Sequence, residues 1–266
     1  MAAIHVIKGL ISKFRKPFGF AKSRKVEQVD LPATVASDPL SRLYSVLPEG
    51  KVSALVKFSE KSKSQLRQDL FVLSEVNFLK GGYFVEFGAT NGLDLSNSHI
   101  LEKEFEWQGI LAEPARIWHE TLVSNRTAHI ETKCVWKDSH STLIFNEATM
   151  PELSTIDSFS MSDLHNRARE DGLRYEVETI SLNDLLEKFL APTHINYMSI
   201  DTEGSELEIL KSFNFSKYKI DIITVEHNYT DNRNAIFALL SQEGYLRKYE
   251  EISFFDDWYV RADLNY

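Results

Sequence analysis

The sequence predicts an α/β fold whose core is an open, mostly parallel sheet with helices on both faces. Two observations carry this prediction. From about residue 64 to the end, short apolar runs alternate with segments of helical period. Runs such as YFVEF (83–87) are also apolar throughout, as in strands that are buried on both faces. A chain of 266 residues is long enough for one sizeable core.

The elements follow one another in a regular order. A helix in SQLRQDLFVLSEVNFL (64–79) ends before Gly81 and Gly82. Residues 147–175 are polar and too long for a plain connection, so we expect an inserted lid. The chain closes with an antiparallel hairpin formed by 244–252 and 253–260. Between these segments the sequence predicts strands at 83–87, 109–114, 129–136, 175–180, 195–201 and 220–228, and helices near 97–106, 115–125, 181–190, 205–213 and 233–244.

The first 60 residues differ from the rest in charge and pattern. Residues 1–25 carry seven lysines and arginines and no acid, although the whole chain has a net charge of −9. Apolar residues recur there at helical spacing, at Ile4, Ile7, Leu10, Ile11, Phe14 and Phe18. We expect a basic amphipathic helix that lies on an anionic membrane surface or docks on its own domain or a partner protein. Residues 26–60 contain Pro32, Pro39 and Pro48 and no clean period, which predicts a linker or a surface wrap.

The turn after the strand at 83–87 is the first candidate binding site, because ligands of such sheets bind beyond the carboxyl ends of the strands. Gly88 allows close approach of the backbone, and the N–H groups that follow are expected to face an anion. Glu86 disfavours a phosphate and favours an ammonium, so an amino-acid head group fits this end. The candidate residues are Glu86, Gly88, Ala89, Thr90, Asn91 and Gly92.

The next two strand ends complete a cofactor site. Glu113, followed by Pro114, ends the second strand, where a carboxylate accepts both hydroxyl protons of a ribose. Val135 and Trp136 end the third predicted strand and are expected to cover one face of an adenine. An amino acid, a ribose and an adenine describe S-adenosyl-L-methionine. The turn also lacks the G-x-G-x-x-G pattern of dinucleotide sites.

With these residues in place, the chain resembles the FkbM type of class I methyltransferases that use S-adenosyl-L-methionine. SQLRQD, GGYFVEFGATNG, SNSHILEK, AEP, IDTEGSELEIL and VEHN follow the pattern of that family in order, from about residue 64 to the end. The resemblance implies a Rossmann-like sheet of seven strands with an antiparallel last strand, in a methyltransferase domain spanning 61–266. It also implies methylation of hydroxyl groups, often on sugars or other secondary metabolites.

The resemblance also assigns residues outside the strand ends. Gln65, Arg67 and Asp69 of SQLRQD would help to close the cofactor pocket, and Asn97 of SNSHILEK would join them. On the residues alone, SQLRQD is equally a helix start with Ser64 as its cap. The family commonly has an aspartate where this chain has Asn91, which removes a charge but keeps a donor and an acceptor.

Candidates for the chemistry lie at the later strand ends. A sugar hydroxyl is a weak nucleophile and needs a base or a metal ion to lose its proton. His227 is a candidate general base near neutral pH. Asp201, with Glu203 nearby, is expected to orient the acceptor, act as the base or hold a divalent ion.

A metal site is a further reading of the same strand ends. Asp201, Glu203, Glu226 and Asn228 carry the oxygen ligands that Mg²⁺ favours. Glu206 is more simply the start of a helix, where a negative charge suits the dipole. In the lid, Arg167, Arg169 and Arg174 are expected to bind an anionic group of the acceptor or to form a solvated face.

Composition narrows location and partners. The only cysteine, Cys134, cannot form an internal disulfide, which favours a reducing cytoplasm, with attachment to the inner face of a membrane if residues 1–25 bind lipid. An acidic body argues against nucleic acid as a partner. The resemblance to the FkbM type implies a carbohydrate or another hydroxyl-bearing small molecule as the acceptor. Two alternatives stay open. They are a catalytically silent docking module of the same fold and a nicotinamide-dependent sugar oxidoreductase.

Overall fold

A computed structural model describes residues 38–266. The predicted basic helix at 1–25 and the first part of the predicted linker lie outside these residues. Within 38–266, no helix combines the length and the hydropathy that crossing a membrane requires. The strands are β1 (Tyr83–Phe87), β2 (Gln108–Ala112), β3 (His129–Glu131), β4 (Cys134–Trp136), β5 (Thr142–Glu147), β6 (Thr155–Ile156), β7 (Leu173–Ser181), β8 (His194–Ile200), β9 (Lys219–Glu226), β10 (Tyr245–Lys248) and β11 (Asp256–Arg261).

The helices occur at most of the predicted positions. They are α1 (Pro39–Val46), α2 (Glu49–Leu55), α3 (Gln68–Glu75), α4 (His99–Phe105), α5 (His119–Asn125), α6 (Asn166–Arg169), α7 (Leu182–Lys188), α8 (Glu206–Ser212), α9 (Asn232–Gln242) and α10 (Glu250–Ser253). Short 3-10 turns occur at Val56–Phe58, Arg116–Trp118, Pro151–Leu153 and Asp157–Phe159.

The main sheet has seven strands in the order β3-β2-β1-β8-β9-β11-β10. The last strand, β11, is antiparallel to both of its neighbours, and the other pairs are parallel. This confirms the predicted fold class, a Rossmann-like, mostly parallel sheet with an antiparallel last strand. The order reverses between β1 and β8, so the carboxyl ends of these two strands border the crevice in which such sheets bind ligands.

Residues 129–136 form two strands in different sheets, whereas the sequence predicted one. β3 pairs with β2 in the main sheet, and β4 pairs with β7. The carboxylate of Glu131 accepts the N–H groups of Thr132 and Lys133 at 3.0 and 3.1 Å. These local bonds turn the chain out of the main sheet.

β4 belongs to a second sheet, which has the order β4-β7-β5-β6. β5 and β7 are antiparallel, and their pairing runs from Thr142 opposite Glu178 to Glu147 opposite Leu173. The segment between these two strands, residues 148–172, contains β6, two 3-10 turns and α6. We call it the insert, and it makes up most of the predicted lid.

Residues 39–55 are helical, although the prolines predicted a linker or surface wrap. Asp38 caps α1 by accepting the N–H groups of Leu40 and Ser41, and Pro39 is the first helical residue. Proline suits that position because its missing N–H would be unpaired there anyway. Leu43 and Leu55 are fully buried, so the two helices belong to the packed domain.

The main sheet buries a different core on each face, because side chains alternate along its strands. One core packs against α7, α8 and α9, and the other packs against α3. We call these faces the α8 face and the α3 face. The α8 face includes Val85, Met198, Ile223 and Tyr259, and the α3 face includes Phe84, Tyr197, Ile222 and Trp258. Phe71 of α3 stacks on Trp258 with 4.7 Å between ring centroids.

Candidate active site

The candidate site lies where β1, β2, β8 and β9 end. Gly88 follows β1 with φ of 72°, and a Cβ atom on it would lie 1.9 Å from the carbonyl oxygen of Asp201. Any side chain at this position would therefore collide with backbone. The absence of a side chain lets the turn after β1 contact the residue that follows β8.

Glu113 follows β2 and lies beside the turn after β1. It is buried, and its oxygens accept the N–H groups of Thr90 and Ala115, both at 2.8 Å. Each carboxylate oxygen has a second lone pair, so one acceptor position per oxygen remains for a ligand hydroxyl. Burial raises the pKa of Glu113 to about 7. The carboxylate is therefore partly protonated near neutral pH.

The turn itself is not the predicted cradle of free N–H groups. The N–H groups of Gly88 and Ala89 donate to the carbonyl oxygen of Ala112 at 3.0 and 3.3 Å. The N–H of Gly92 donates to the carbonyl oxygen of Ala89 at 2.8 Å, and that of Thr90 is bound to Glu113. These bonds occupy the N–H groups of Ala89, Thr90 and Gly92, which argues against the predicted anion site. A pyrophosphate has no row of donors here.

Asn91 supports the same turn. Its side-chain oxygen accepts the N–H groups of Leu93 and Asp94 at 2.9 and 2.8 Å, and its amide donates to the Asp94 carboxylate at 2.9 Å. This is the local bonding that asparagine commonly makes in turns. A contact between Asn91 and the cofactor remains a prediction.

Glu86 does not offer its carboxylate to an ammonium group. One oxygen accepts the N–H of Asn97 at 2.7 Å, and the other accepts the hydroxyls of Ser96 and Ser98. The guanidinium of Arg126 lies 3.9 Å away. The predicted role was wrong because segment 96–98 folds back onto this acid. Glu86 fixes the loop that follows the turn.

Arg126 is a buried positioning residue that the sequence analysis missed. Its side chain is fully buried, and its Nε pairs with Glu102 at 2.7 Å. One terminal nitrogen donates to the carbonyl oxygen of Gly92 at 3.0 Å, and the other donates to Ser98 at 2.9 Å. Arg126 therefore ties the end of the cofactor turn to α4. No local pattern in the sequence indicates this role.

The SQLRQD segment makes a polar layer beneath the site. The hydroxyl of Ser64 accepts the N–H of Gln68, the first residue of α3. The predicted N-cap role of Ser64 was wrong, because the helix begins four residues later and its cap residue is Arg67. Asn97 donates to Ser199 at 2.9 Å and accepts from Ser64 at 2.6 Å. Gln68, which the sequence analysis passed over, donates to Asp256 at 2.8 Å.

The other SQLRQD residues differ in burial and in their hydrogen-bond partners. Gln65 is exposed, and Arg67 donates to the carbonyl and hydroxyl oxygens of Ser62 at 3.2 and 3.1 Å. Asp69 is fully buried and accepts from Ser62 at 2.7 Å, and burial raises its pKa to about 6. Cofactor contacts of Gln65 and Asp69 remain predictions.

The two residues predicted to cover the adenine differ in exposure. Val135 is 4% exposed and lies in the α8-face core. Trp136 is partly exposed and meets Phe159 edge-on, with ring centroids 5.9 Å apart. Burial, together with the nearby charge of Glu113, raises the pKa of Cys134 to about 12. Trp136 packs against the apolar cluster that contains Cys134 and Ala115, two residues after Glu113, so Trp136 lies on the Glu113 side of the site.

Three acids from the ends of β8 and β9 form a cluster. Asp201, Glu203 and Glu226 each contribute a carboxylate oxygen that lies within 4.8 Å of the other two. Burial raises all three pKa values, that of Asp201 to about 7, and mutual repulsion adds to the shifts of Glu203 and Glu226. Asp201 is partly exposed, whereas the other two are buried. We call this group the acidic cluster.

Glu203 is held in place from two directions. Its Oε2 accepts from Arg169 at 2.7 Å and from the amide of Asn228 at 3.0 Å. Its backbone has φ of 59°, in the left-handed region. Asn228, predicted as a metal ligand, therefore orients Glu203 through its amide nitrogen.

Glu206 stabilises the loop that carries the cluster. One of its oxygens accepts the N–H and hydroxyl groups of Thr202 at 3.0 and 2.9 Å, and also the N–H of Gly204 at 2.9 Å. It stands at the start of α8, as expected of a helix-starting acid.

The insert closes over this loop through Arg169. The Arg169 side chain is fully buried and pairs with Asp163 at 2.9 Å as well as with Glu203. The expectation that Arg169 binds the acceptor was wrong, because its buried guanidinium is already paired with Asp163 and Glu203. Arg174 pairs with Asp157 at 2.8 Å. For Arg167 the acceptor contact remains a prediction.

His227 is not placed as a general base. By strand alternation its side chain belongs to the α8 face, opposite Glu226. Its Nδ1 accepts the N–H of Tyr229 at 3.0 Å, which engages the lone pair of the neutral ring. Its Nε2 lies 3.7 Å from Asp257, and burial lowers its pKa to about 4. These contacts argue against the predicted role and leave the acidic cluster as the candidate proton acceptor.

Comparisons with known proteins agree with this geometry at the level of a family. The family model described as "Methyltransferase FkbM domain" matches residues 86–258. A comparison with curated proteins finds no match.

Three solved structures show distant similarity. Precorrin-6y C5,15-methyltransferase from Geobacter metallireducens GS-15 is 11% identical, with a TM-score of 0.39, over 72% of this chain and 85% of that chain. A putative sarcosine dimethylglycine methyltransferase from Galdieria sulphuraria is 10% identical, with a TM-score of 0.33, over 70% and 63%. The CurJ carbon methyltransferase is 10% identical, with a TM-score of 0.37, over 84% and 60%. The chain thus spans less than two thirds of the latter two proteins.

Proposed function

The chain belongs to the FkbM methyltransferase family and is a methyltransferase that uses S-adenosyl-L-methionine, and we propose that it methylates a hydroxyl oxygen, on a sugar of a glycan or a secondary metabolite. The observation that carries this proposal is the acidic cluster beside the cofactor turn. Transfer to a hydroxyl releases a proton, and a carboxylate at this position is suited to accept it.

The cofactor half of the site rests on Glu113. Its two remaining acceptor positions match the two hydroxyls of a ribose, and Thr90 and Ala115 fix the carboxylate from behind. Trp136, on the same side, has exposed aromatic surface for a base. The methionine end of the cofactor would lie along the turn at Gly88, next to Asp201.

The acceptor half of the site rests on Asp201. It is the partly exposed member of the acidic cluster, and its main chain is packed against Gly88. S-adenosyl-L-methionine supplies the methyl group, whose bond to sulfur breaks as the bond to the acceptor oxygen forms. Asp201 orients the hydroxyl towards that methyl group and takes its proton. Burial, with the nearby charges of Glu206 and Glu86, raises the pKa of Asp201 to about 7, which favours proton uptake near neutral pH.

The direct test is Asp201→Asn, which keeps the shape of the side chain and the main-chain contact with Gly88. We expect kcat to fall by about 10²- to 10⁴-fold, the usual contribution of a positioned acid or base. Affinity for S-adenosylhomocysteine, measured by calorimetric titration, is expected to change by less than about threefold. Glu208→Gln, an exposed acid on α8 paired with Lys211, is the matched control and is expected to keep full activity.

Activity is assayed with radiolabelled S-adenosyl-L-methionine against sugars, oligosaccharides and glycosylated metabolites, followed by assignment of the methylated atom. Methyl transfer to nitrogen or carbon alone, or an unchanged rate in Asp201→Asn, would sink the proposal. Calorimetric titration with NAD tests the oxidoreductase alternative, which requires that the protein bind NAD. A protein that binds neither cofactor would instead be a silent docking module.

A further inference from the structure

We propose that the acidic cluster of Asp201, Glu203 and Glu226 binds a hard divalent cation, of the Mg²⁺ or Mn²⁺ class, at the acceptor side of the site. The binding site stands on geometry alone. Only its role in catalysis rests on the proposed function.

The spacing of the cluster suits one ion. Two ligand oxygens on the same ion lie at most two metal–oxygen bonds apart, roughly 4 Å for Mg²⁺ and roughly 5 Å for Ca²⁺. The three carboxylate oxygens of Asp201, Glu203 and Glu226 lie within 4.8 Å of one another. One cation therefore contacts all three after a small contraction of the cluster. Oxygen-only ligands select hard divalent ions over softer metals.

Glu226 supplies a second and independent indication. It is 8% exposed, and its Oε2 is buried without a hydrogen-bond partner among the described residues. A buried carboxylate oxygen with no donor costs free energy that a bound cation would recover. Asp256, its neighbour across the sheet, differs in this respect. Its Oδ2 accepts from Gln68 at 2.8 Å and from Trp258 at 3.2 Å.

Glu203 has the support that metal ligands usually have. Arg169 and the amide of Asn228 both donate to its Oε2, and Oε1 is left for an ion. Outer hydrogen bonds of this kind orient a ligand before the metal binds. Asp201 is partly exposed, so the ion would keep access to water or to an acceptor hydroxyl.

A cation here would change how the acceptor loses its proton. An oxygen bound to a divalent ion has a lowered pKa, so the hydroxyl becomes a better nucleophile near neutral pH. The released proton would pass to water or to a cluster carboxylate. The ion would also fix the acceptor oxygen in line with the transferred methyl group.

The experiment uses the full chain. EDTA first removes bound metal, and the EDTA is then removed by dialysis. The protein is titrated with MgCl₂ or MnCl₂ in a calorimeter, without cofactor or acceptor. Mn²⁺ electron paramagnetic resonance gives the number of ions bound per chain. We expect one ion, and at least about tenfold weaker binding in Glu226→Gln and in Glu203→Gln. Glu208→Gln is expected to bind like the unchanged protein.

Folding of each variant is checked by circular dichroism and by its thermal midpoint. An ion that binds only the folded state raises the midpoint of the unchanged protein, and the rise is expected to vanish in Glu226→Gln. Absence of binding at about 10 mM of either ion, or equal affinity in Glu226→Gln and the unchanged protein, would overturn the proposal.

Failure of the two proposals can be told apart. If one ion binds at the cluster but the methyl group goes only to nitrogen or carbon, the metal site stands and the hydroxyl acceptor falls. If hydroxyl methylation persists undiminished in EDTA while Asp201→Asn abolishes it, the proposed function stands and the catalytic role of the ion falls.

Discussion

Asp256 and Asp257, adjacent residues of β11, lie on opposite faces of the main sheet and have different hydrogen-bond partners. Asp257 points to the α8 face, where Arg233 donates to it at 2.8 and 3.0 Å and Arg247 at 3.2 Å. Asp256 points to the α3 face, where its partners are the neutral Gln68 and Trp258. Burial, with no cation beside it, raises the pKa of Asp256 well above its usual range.

The difference separates acids that hold the fold together from acids that are kept for a ligand. Asp256 shares its face with Glu226, and burial also raises the pKa of that acid. Acids buried without cations lower stability, and a binding partner of opposite charge recovers that free energy. The α8 face thus uses Asp257 for stability, whereas Asp256 and Glu226 on the α3 face have no cationic partner among the described residues.

The largest effect on stability is expected at Glu86 and Glu102. Unlike Asp256 and Glu226, these two acids of the α3 side have a cationic partner, Arg126. Arg126→Met would leave Glu102 and Glu86 without the guanidinium between them. We expect the free energy of unfolding to fall by about 3–5 kcal/mol, because one partner of a buried ion pair is removed. Urea unfolding measures it. Arg261→Met, which breaks a more exposed pair with Asp263, is the control and should cost less than about 1 kcal/mol.

A smaller loss is expected from Asp257→Asn. The change removes the charge that Arg233 and Arg247 share, although both arginines also pair with Glu250 and are partly exposed. We expect about 2 kcal/mol lower stability by urea unfolding, with affinity for S-adenosylhomocysteine unchanged. A loss of cofactor affinity in the folded variant would show that the two faces are not separate in function.

Glu113 is expected to control affinity rather than stability. Hydroxyls donate best to the ionised carboxylate, and the pKa of Glu113 is raised to about 7 by burial. Affinity for S-adenosylhomocysteine should therefore rise about tenfold between about pH 6 and about pH 8. Glu113→Gln should bind about tenfold more weakly near pH 8 and show no such rise. A pH profile shared by both proteins would refute the ribose assignment.

The smallest effect is expected from Asp256→Asn. An amide oxygen still accepts from Gln68 and Trp258, and the cost of burying a charge disappears. We expect stability near pH 8 to stay unchanged or to rise by up to about 1 kcal/mol. A loss as large as that of Asp257→Asn would erase the distinction between the faces.

The main sheet was predictable because its strands are buried on both faces and so contain uninterrupted apolar runs. β1, β8 and β9 were identified in this way, and Glu86 and Glu226 lie at or next to the ends of β1 and β9. Glu113 followed from the same reasoning. The break between β3 and β4 was not visible, because it depends on Glu131 binding the two N–H groups that follow it.

Contacts between distant residues account for the other differences. The use of Glu86 depends on segment 96–98 and on Arg126, and Arg169 meets Glu203 only after the insert has folded. Propensity and periodicity do not contain such pairings. One signal was available and passed over. The pair Asp256-Asp257 stands in a predicted strand, and alternation must send one acid to each face.

Gly88 and Asp201 set the limits within which this enzyme can be redesigned. Their close contact is made by the main chain of Asp201, so a side chain added at Gly88 would disturb both the cofactor turn and the acceptor side, whereas Asp201→Asn keeps the contact. The insert is joined differently, since it leaves and re-enters through the β5–β7 pair and holds the loop after β8 mainly through Thr155 and Arg169. Grafting inserts from relatives while keeping these two anchors therefore leaves the contact between Gly88 and Asp201, and with it the methyl-donor side of the site, unchanged.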